Sequence, residues 1–145
     1  MDVRMDGRVA LITGGSRGLG RAMALKFAEA GAKVAITARR KDVLEEARAD
    51  IAGRTKTPVA AFPCDVGQAD QIEDMYASVI GELGPIDILV NNAGRSESGA
   101  FEEITDAVWQ ADLDLKLFAV IRLTRLAFPG MKERRWGRVV NVLNT

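Results

Sequence analysis

One hundred and forty-five residues, 48% hydrophobic and 28% charged, have the composition of an ordinary soluble domain with one sizeable core. Twenty Lys and Arg balance twenty Asp and Glu, so no net field draws the chain to nucleic acid or to an anionic membrane surface. The lack of histidine and the single cysteine, Cys64, exclude a disulfide within the chain, leave no credible zinc site, and rule out Ser-His-Asp or Cys-His catalysis by these residues.

The first element expected is a strand over residues 8–13, carried by the apolar run Val9-Ala10-Leu11-Ile12. It runs into Thr13-Gly14-Gly15-Ser16-Arg17-Gly18-Leu19-Gly20, whose glycines are spaced G-x-x-x-G-x-G. Glycines there remove the Cβ atoms that would hold a ligand away from the backbone. The first-turn N–H groups of the following helix lack intrahelical partners and face any anion at its start. A strand before the loop and a helix after it favour a pyrophosphate cradle over an ordinary turn. In that helix Leu19, Met23, Phe27 and Ala30 form an apolar face, closed by Gly31.

The second strand, Lys33–Ala38, leads to Arg39, Arg40 and Lys41. In dinucleotide folds this strand ends beside the adenosine ribose, where an acid selects the 2′-hydroxyl of NAD and a base the 2′-phosphate of NADP. Thr37-Ala38 supplies no acid, and cations are unfavourable at a helix start, so the basic run argues for a phosphate, with Arg17 closing from the glycine loop. Val43, Ala47 and Ile51 mark the second helix, which ends near Gly53. The third strand, Val59–Pro63, is followed by Cys64-Asp65-Val66. Asp65 suits either an adenine amino group or the cap of the next helix, and Cys64 reads as a small buried residue.

Ile72, Met75, Tyr76, Val79 and Leu83 give the third helix its core face before Gly84-Pro85. A fourth strand over 86–91 ends in Asn91-Asn92-Ala93-Gly94, and Ser96, Glu97, Ser98 and Phe101 follow where a substrate pocket would begin. The fourth helix is expected over 106–135, capped by Thr105, ended or kinked by Pro129 near Phe128, and followed by Gly137. A fifth strand spans 138–143. Strands without polar alternation, each followed by a helix, imply an α/β doubly wound parallel sheet in three α/β/α layers, buried on both faces. Ligands bind such sheets at the carboxyl ends of the strands. No signal-peptide core and no bilayer-length apolar run is present, so a soluble, cytoplasmic chain is expected.

Residues 13–20, Asp65-Val66 and Asn91 to Gly94, in this order and spacing, resemble the short-chain dehydrogenase/reductase family over essentially the whole chain. The resemblance implies a Rossmann fold in which residues 1–145 form one cofactor-binding domain, ending after the fifth strand. It implies that Gly14, Ser16, Arg17, Gly18, Leu19 and Gly20 form the cofactor loop. It places Arg39, with Arg40 beside it, at the 2′-phosphate, Asp65 and Val66 at the adenine, and Asn91, Ala93 and Gly94 along the nicotinamide ribose. NADP(H) is expected ahead of NAD(H), with a small-molecule substrate, no metal, no nucleic acid and no membrane partner. Homo-oligomerisation is expected through the 106–135 helix.

The family's catalytic Asn, Ser and Tyr-x-x-x-Lys are matched poorly. Asp112-Leu113-Asp114-Leu115-Lys116 resembles the D-x-N-L-K stretch with Asp114 at the Asn, and Asn144 falls at the Ser. No Tyr-x-x-x-Lys follows in these residues, and the only tyrosine is Tyr76. Asp112 has Lys116 at i+4, whereas Asp114 has Gln110, Ala111, Leu117 and Phe118 at the equivalent offsets and so no intrahelical cation. An unpaired carboxylate there needs water, a cation from elsewhere, or a ligand. Asp114 and Asn144 are therefore the candidate catalytic residues, atypical as they are. The reading that results is an NADP-dependent oxidoreductase acting on a carbonyl or alcohol, with a non-catalytic NADP(H)-binding sensor or partner subunit as the alternative. A flavin-binding domain of the same topology stands third.

Overall fold

The computed structural model describes residues 3–95 and 98–143. Its elements run β1 (Val9–Thr13), α1 (Gly18–Glu29), β2 (Lys33–Ala38), α2 (Lys41–Arg54), β3 (Val59–Pro63), α3 (Ala69–Leu83) and β4 (Ile88–Asn91). A 3-10 turn (Phe101–Glu103), α4 (Asp106–Leu113), a π turn (Asp114–Phe118), α5 (Ala119–Glu133) and β5 (Arg138–Asn141) follow. The five strands pair in parallel in the order β3-β2-β1-β4-β5.

Residues alternate across the sheet, and both sides are apolar because both are covered. Val9 and Leu11 of β1 pack with Ile72, Met75 and Val79 of α3 and Leu123 and Ala127 of α5. Ala10 and Ile12 pack on the opposite side with Ala24 and Ala28 of α1 and Leu44 and Ile51 of α2. This is the expected doubly wound sheet. β5 departs from the expected burial, since all four of its residues are exposed, Val139 by 37% and Val140 by 44%. It is one of two edge strands, paired among the described residues with β4 alone.

Helix registers differ from the sequence reading in two places. The face of α1 turned to the sheet is Gly20, Ala24 and Ala28. The larger stripe Leu19, Met23, Phe27 and Ala30 is set to one side, lining a groove of about 650 Å³ with Val3 and Met5, with Met23 and Phe27 half-buried against the rim of the core. Small residues face inward because the glycine loop draws the start of α1 tightly onto the sheet, leaving no room for large side chains. In α2, Leu44 rather than Val43 is buried beside Ala47 and Ile51, and Val43 turns to the cavity above the sheet. In α3 the expected face holds, and the half-buried Tyr76 hydroxyl donates to the Leu126 carbonyl at 3.1 Å.

The fourth helix is capped by Thr105, whose Oγ1 accepts the Val108 N–H at 3.4 Å. It is not ended by Pro129, which lies inside α5. A mid-helix proline costs about 3 kcal/mol in a free helix. Here Leu123, Ala127 and Met131 are anchored in the core on both sides of it, and tertiary packing outweighs propensity. The interruption falls earlier, at the π turn. The chain leaves α5 through Arg135 at φ 55° rather than through Gly137. The Trp136 N–H donates to the Met131 carbonyl and the Arg135 N–H to that of Lys132, the paired bonds that close a helix end.

The sequence gives no warning of the most connected charge in the fold. Asp87 is 7% exposed, accepts the Val9 N–H at 3.0 Å, and lies 3.7 Å from Arg8 and 3.5 Å from Arg134. Arg134 also donates to the Ile86 carbonyl, and Arg8 stacks 3.6 Å from the Trp136 ring centroid. One carboxylate thus ties the starts of β1 and β4 to the end of α5. Asp87→Ala leaves a buried N–H without its acceptor and two arginines without their carboxylate, and is expected to lower unfolding free energy by about 2 kcal/mol, measured by urea denaturation.

Candidate functional site

At the carboxyl ends of β1, β2, β3 and β4 lies a cavity of about 830 Å³. It opens where the chain, after winding outward through β2 and β3, crosses back past β1 to β4. That reversal is the crevice where doubly wound sheets receive ligands.

The floor is set by Thr13, 2% exposed. Its Oγ1 accepts the N–H groups of Asn92 at 3.0 Å and Ala93 at 2.9 Å and donates to the Val90 carbonyl at 3.4 Å, which uses the full capacity of a hydroxyl. Asn92 answers with its side-chain amide, donating to the carbonyls of Thr13 at 3.1 Å and Gly14 at 3.3 Å. So close an approach requires glycine. Gly14 has φ 65°, and a Cβ there would lie 3.0 Å from Ala93 Cα. A Cβ on Gly20 would run into the Gly14 carbonyl oxygen and sit 2.6 Å from Asn92 Nδ2. Arg17 is the N-cap residue of α1 and makes no side-chain cap bond, so the first-turn N–H groups face the cavity without a protein acceptor from the cap.

The basic residues divide into two kinds. Arg40 donates to Asp42 at 3.0 Å, and that bond holds the Asp42 carboxyl below its ordinary range. Arg17 and Arg39 line the cavity exposed, and among the described residues neither guanidinium has an acidic partner or a hydrogen bond. Asp65 lines the wall at the end of β3. Its Oδ1 accepts the Gly67 N–H at 2.9 Å, so it closes a loop turn and does not cap α3, whose N-cap is Gln68. Val66 is buried beside it. Burial also pushes the neighbouring Cys64 thiol up to about 11, which leaves it protonated and unreactive at neutral pH.

Ser16, Gly18, Leu19, Ala93 and Gly94 stand on the cavity wall with the residues above, whereas Asn91 does not. Asn91 points to the sheet edge and donates through Nδ2 to Asn141 Oδ1 at 2.8 Å, its partner in the β4–β5 register. Asn144, Ser96 and Glu97 lie outside the described residues. Ser98 and Phe101 are off the wall, and Phe101 is 80% exposed. Asp114 does face the cavity, but it is not without a cation. Arg122 lies 3.6 Å away, eight residues on. Asp112 pairs with Lys116 at 2.8 Å as the spacing predicts.

Sequence reasoning placed Thr13 and Asn92 within its motifs but missed the bonds between them, and it missed the α4 wall of Ala107, Gln110, Ala111 and Leu115. Thr13 was legible as the polar residue ending an apolar strand. The α4 wall was not, because its face depends on how the whole helix docks.

With this geometry in place, known proteins bear on the chain. A family model described as short chain dehydrogenase matches residues 8–144. An uncharacterized oxidoreductase of Mycobacterium tuberculosis is 41% identical over 142 residues, covering 95% of this chain and 42% of the relative. The acetoacetyl-CoA reductase of Shinella zoogloeoides is 37% identical over 136 residues, 93% of this chain and 54% of the relative. The crystal structure of L-sorbose reductase from Gluconobacter frateurii, complexed with NADPH and L-sorbose, superposes with a TM-score of 0.93 at 36% identity, covering 97% of this chain and 54% of that one. The chain spans about half the length of the curated relatives it matches.

Thr13→Val keeps the shape of the floor and removes its hydroxyl, stranding the N–H groups of Asn92 and Ala93. It is expected to destabilise by about 2 to 4 kcal/mol, read as a lower urea midpoint at unchanged m-value.

Proposed function

The chain belongs to the short chain dehydrogenases, and from that premise we propose that it is the dinucleotide-binding domain, residues 1–145, of an NADP(H)-dependent oxidoreductase acting on a small carbonyl or alcohol. The observation that carries the cofactor choice is the pair Arg17 and Arg39, exposed at the cavity and without a carboxylate partner among the described residues, while Arg40 is engaged by Asp42. A 2′-phosphate neutralises both, whereas NAD leaves them uncompensated near a helix start. The NADPH in the superposed L-sorbose reductase supports the same choice.

The residues present fit the group. Gly14 and Gly20 leave a cradle that a Cβ would fill, and the open N–H groups of α1 meet a pyrophosphate. Ser16, Gly18 and Leu19 complete the loop. Asp65 keeps its second carboxylate oxygen for the adenine amino group, and Val66 packs beside it. Ala93 and Gly94 offer backbone along the nicotinamide ribose, and Asn91 holds that strand end to β5 from behind. When bound, the dinucleotide supplies or accepts hydride. The resemblance puts Asp114 and Asn144 at the family's Asn and Ser positions. A carboxylate at Asp114 disfavours negative charge building on a reacting oxygen, and the amide of Asn144 donates to a substrate oxygen but cannot relay a proton as a hydroxyl does. That charge at Asp114 favours a second reading, a chain that binds NADP(H) without turnover as a sensor or partner subunit. Steady NADPH oxidation by the longest form of the protein separates the two.

Titration of the chain with each cofactor tests the main reading. NADPH should bind more tightly than NADH by about 1.5 to 3 kcal/mol for each charge-assisted pair formed, with Arg39→Ala removing most of the difference and sparing NADH. Equal affinities in the parent overturn it.

Self-association is proposed through the 106–135 helix, whose outward residues include Trp109, Leu113, Leu117 and Phe128, exposed by 40%, 39%, 47% and 57%. Apolar surface of that kind marks an interface. Light scattering should show a dimer or larger, and Leu117→Glu should dissociate it; a monodisperse parent monomer ends the proposal.

A further inference from the structure

Asp114 and Arg122 are eight residues apart, a separation that in a regular α-helix turns two side chains about 80° from one another. The π turn changes this. The Ala119 N–H donates to the Asp114 carbonyl, a bond that takes one extra residue into a single turn. The offset then behaves as seven residues, about 20° from alignment. Side chains lean toward a helix N-terminus, so Arg122 reaches back along the aligned face to Asp114. Its nitrogen lies 3.6 Å from Asp114 Oδ1, with the two side chains 27% and 26% exposed. The guanidinium sits 5.3 Å from the Phe118 ring centroid, which restrains it further. Asp114 itself is on the cavity wall with Gln110, Ala111 and Leu115, while Arg122 is not.

We propose that Arg122 is a positioning residue: through the π turn it holds the Asp114 carboxylate against the cavity as the acceptor for a hydroxyl or amino group of the bound dinucleotide. A carboxylate oriented by a cation behind it presents its remaining lone pairs forward, and the hydrogen bond it accepts is charge-assisted. The inference rests on the dinucleotide reading above. It assigns Asp114 to ligand binding rather than to proton transfer, and it gives the interruption of the helix a purpose.

A double-mutant cycle tests it, using NADPH and adenosine 2′,5′-bisphosphate as probes on the full chain, with circular dichroism to confirm that each variant is folded. Asp114→Ala and Arg122→Ala should each weaken NADPH about tenfold, near the lower end for a charge-assisted bond. The double variant should be no weaker than Asp114→Ala, because Arg122 acts only through Asp114. Arg122→Lys should recover part of the loss. If the bisphosphate weakens alongside NADPH, the donor group lies on the adenosine half; if only NADPH weakens, it lies on the nicotinamide ribose. Both results support the clamp. Unchanged NADPH affinity in Arg122→Ala, or additive losses in the double variant, overturns it. A parent chain that binds neither probe overturns the dinucleotide reading and this inference with it. A parent that binds NADPH as tightly as Arg122→Ala does leaves that reading standing and removes only the clamp.

Discussion

The cavity exists because the end of β1 is held against the end of β4 at a separation that only a glycine-backed loop tolerates. Thr13 sets that separation. Its hydroxyl gathers two N–H groups and one carbonyl from the β4 end, and Asn92 returns two bonds to the β1 end. Buried backbone groups at a strand end have few alternatives to such a partner. The loop above them is thereby given one shape, and α1 starts at one place, with its free N–H groups aimed into the crevice. Replace the hydroxyl, or add a methyl at Gly20, and the same groups collide or go unpaired. The open shape of the glycine loop is therefore a consequence of sheet geometry rather than of the loop alone.

A second tie lies at the opposite ends of these strands. Asp87 binds the start of β1, and its arginines reach to α5 and Trp136. With the strands anchored at both ends, the loops between them are free to carry chemistry rather than structure. The disposition of charge follows the same division. Arg8, Arg21, Arg40, Arg48 and Arg54 all have carboxylate partners. Each exposed pair contributes little to stability, but each takes a cation out of play. Arg17 and Arg39 stand apart because they line the cavity with no carboxylate partner among the described residues.

The long fourth helix serves two surfaces at once. Leu123, Ala127 and Met131 are sunk in the core, Asp114 and Leu115 face the cavity, and an apolar outer side remains exposed. A regular helix cannot align these demands over more than seven turns. The π turn resets the phase between the α4 wall and the buried face of α5, and the Asp114–Arg122 pair arises from that reset.

Much of this was legible from local pattern. Apolar runs followed by helical periods located all five strands and the doubly wound order, because strand and helix repeats are written in single residues. The glycine spacing located the close approach of β1 to β4 at Gly14 and Gly20, since positions that reject a Cβ admit few residues. What local pattern cannot carry is the phase of an element against its neighbours. Leu19, Met23 and Phe27 formed the larger apolar stripe of α1, yet Gly20, Ala24 and Ala28 face the sheet, because the loop sets the approach before hydrophobicity chooses a side. Pro129 promised a break that core packing overrode. Asn91 and Asn92 were indistinguishable as letters, and one residue of strand register sends the first to β5 and the second to Thr13. Asp114 lacked a cation at every regular helical offset, and a change of one residue in the helical repeat supplied Arg122. Residue identity determined which elements form and which groups are available; only the docking of those elements decided which groups meet, because contact depends on distances that span the whole sheet.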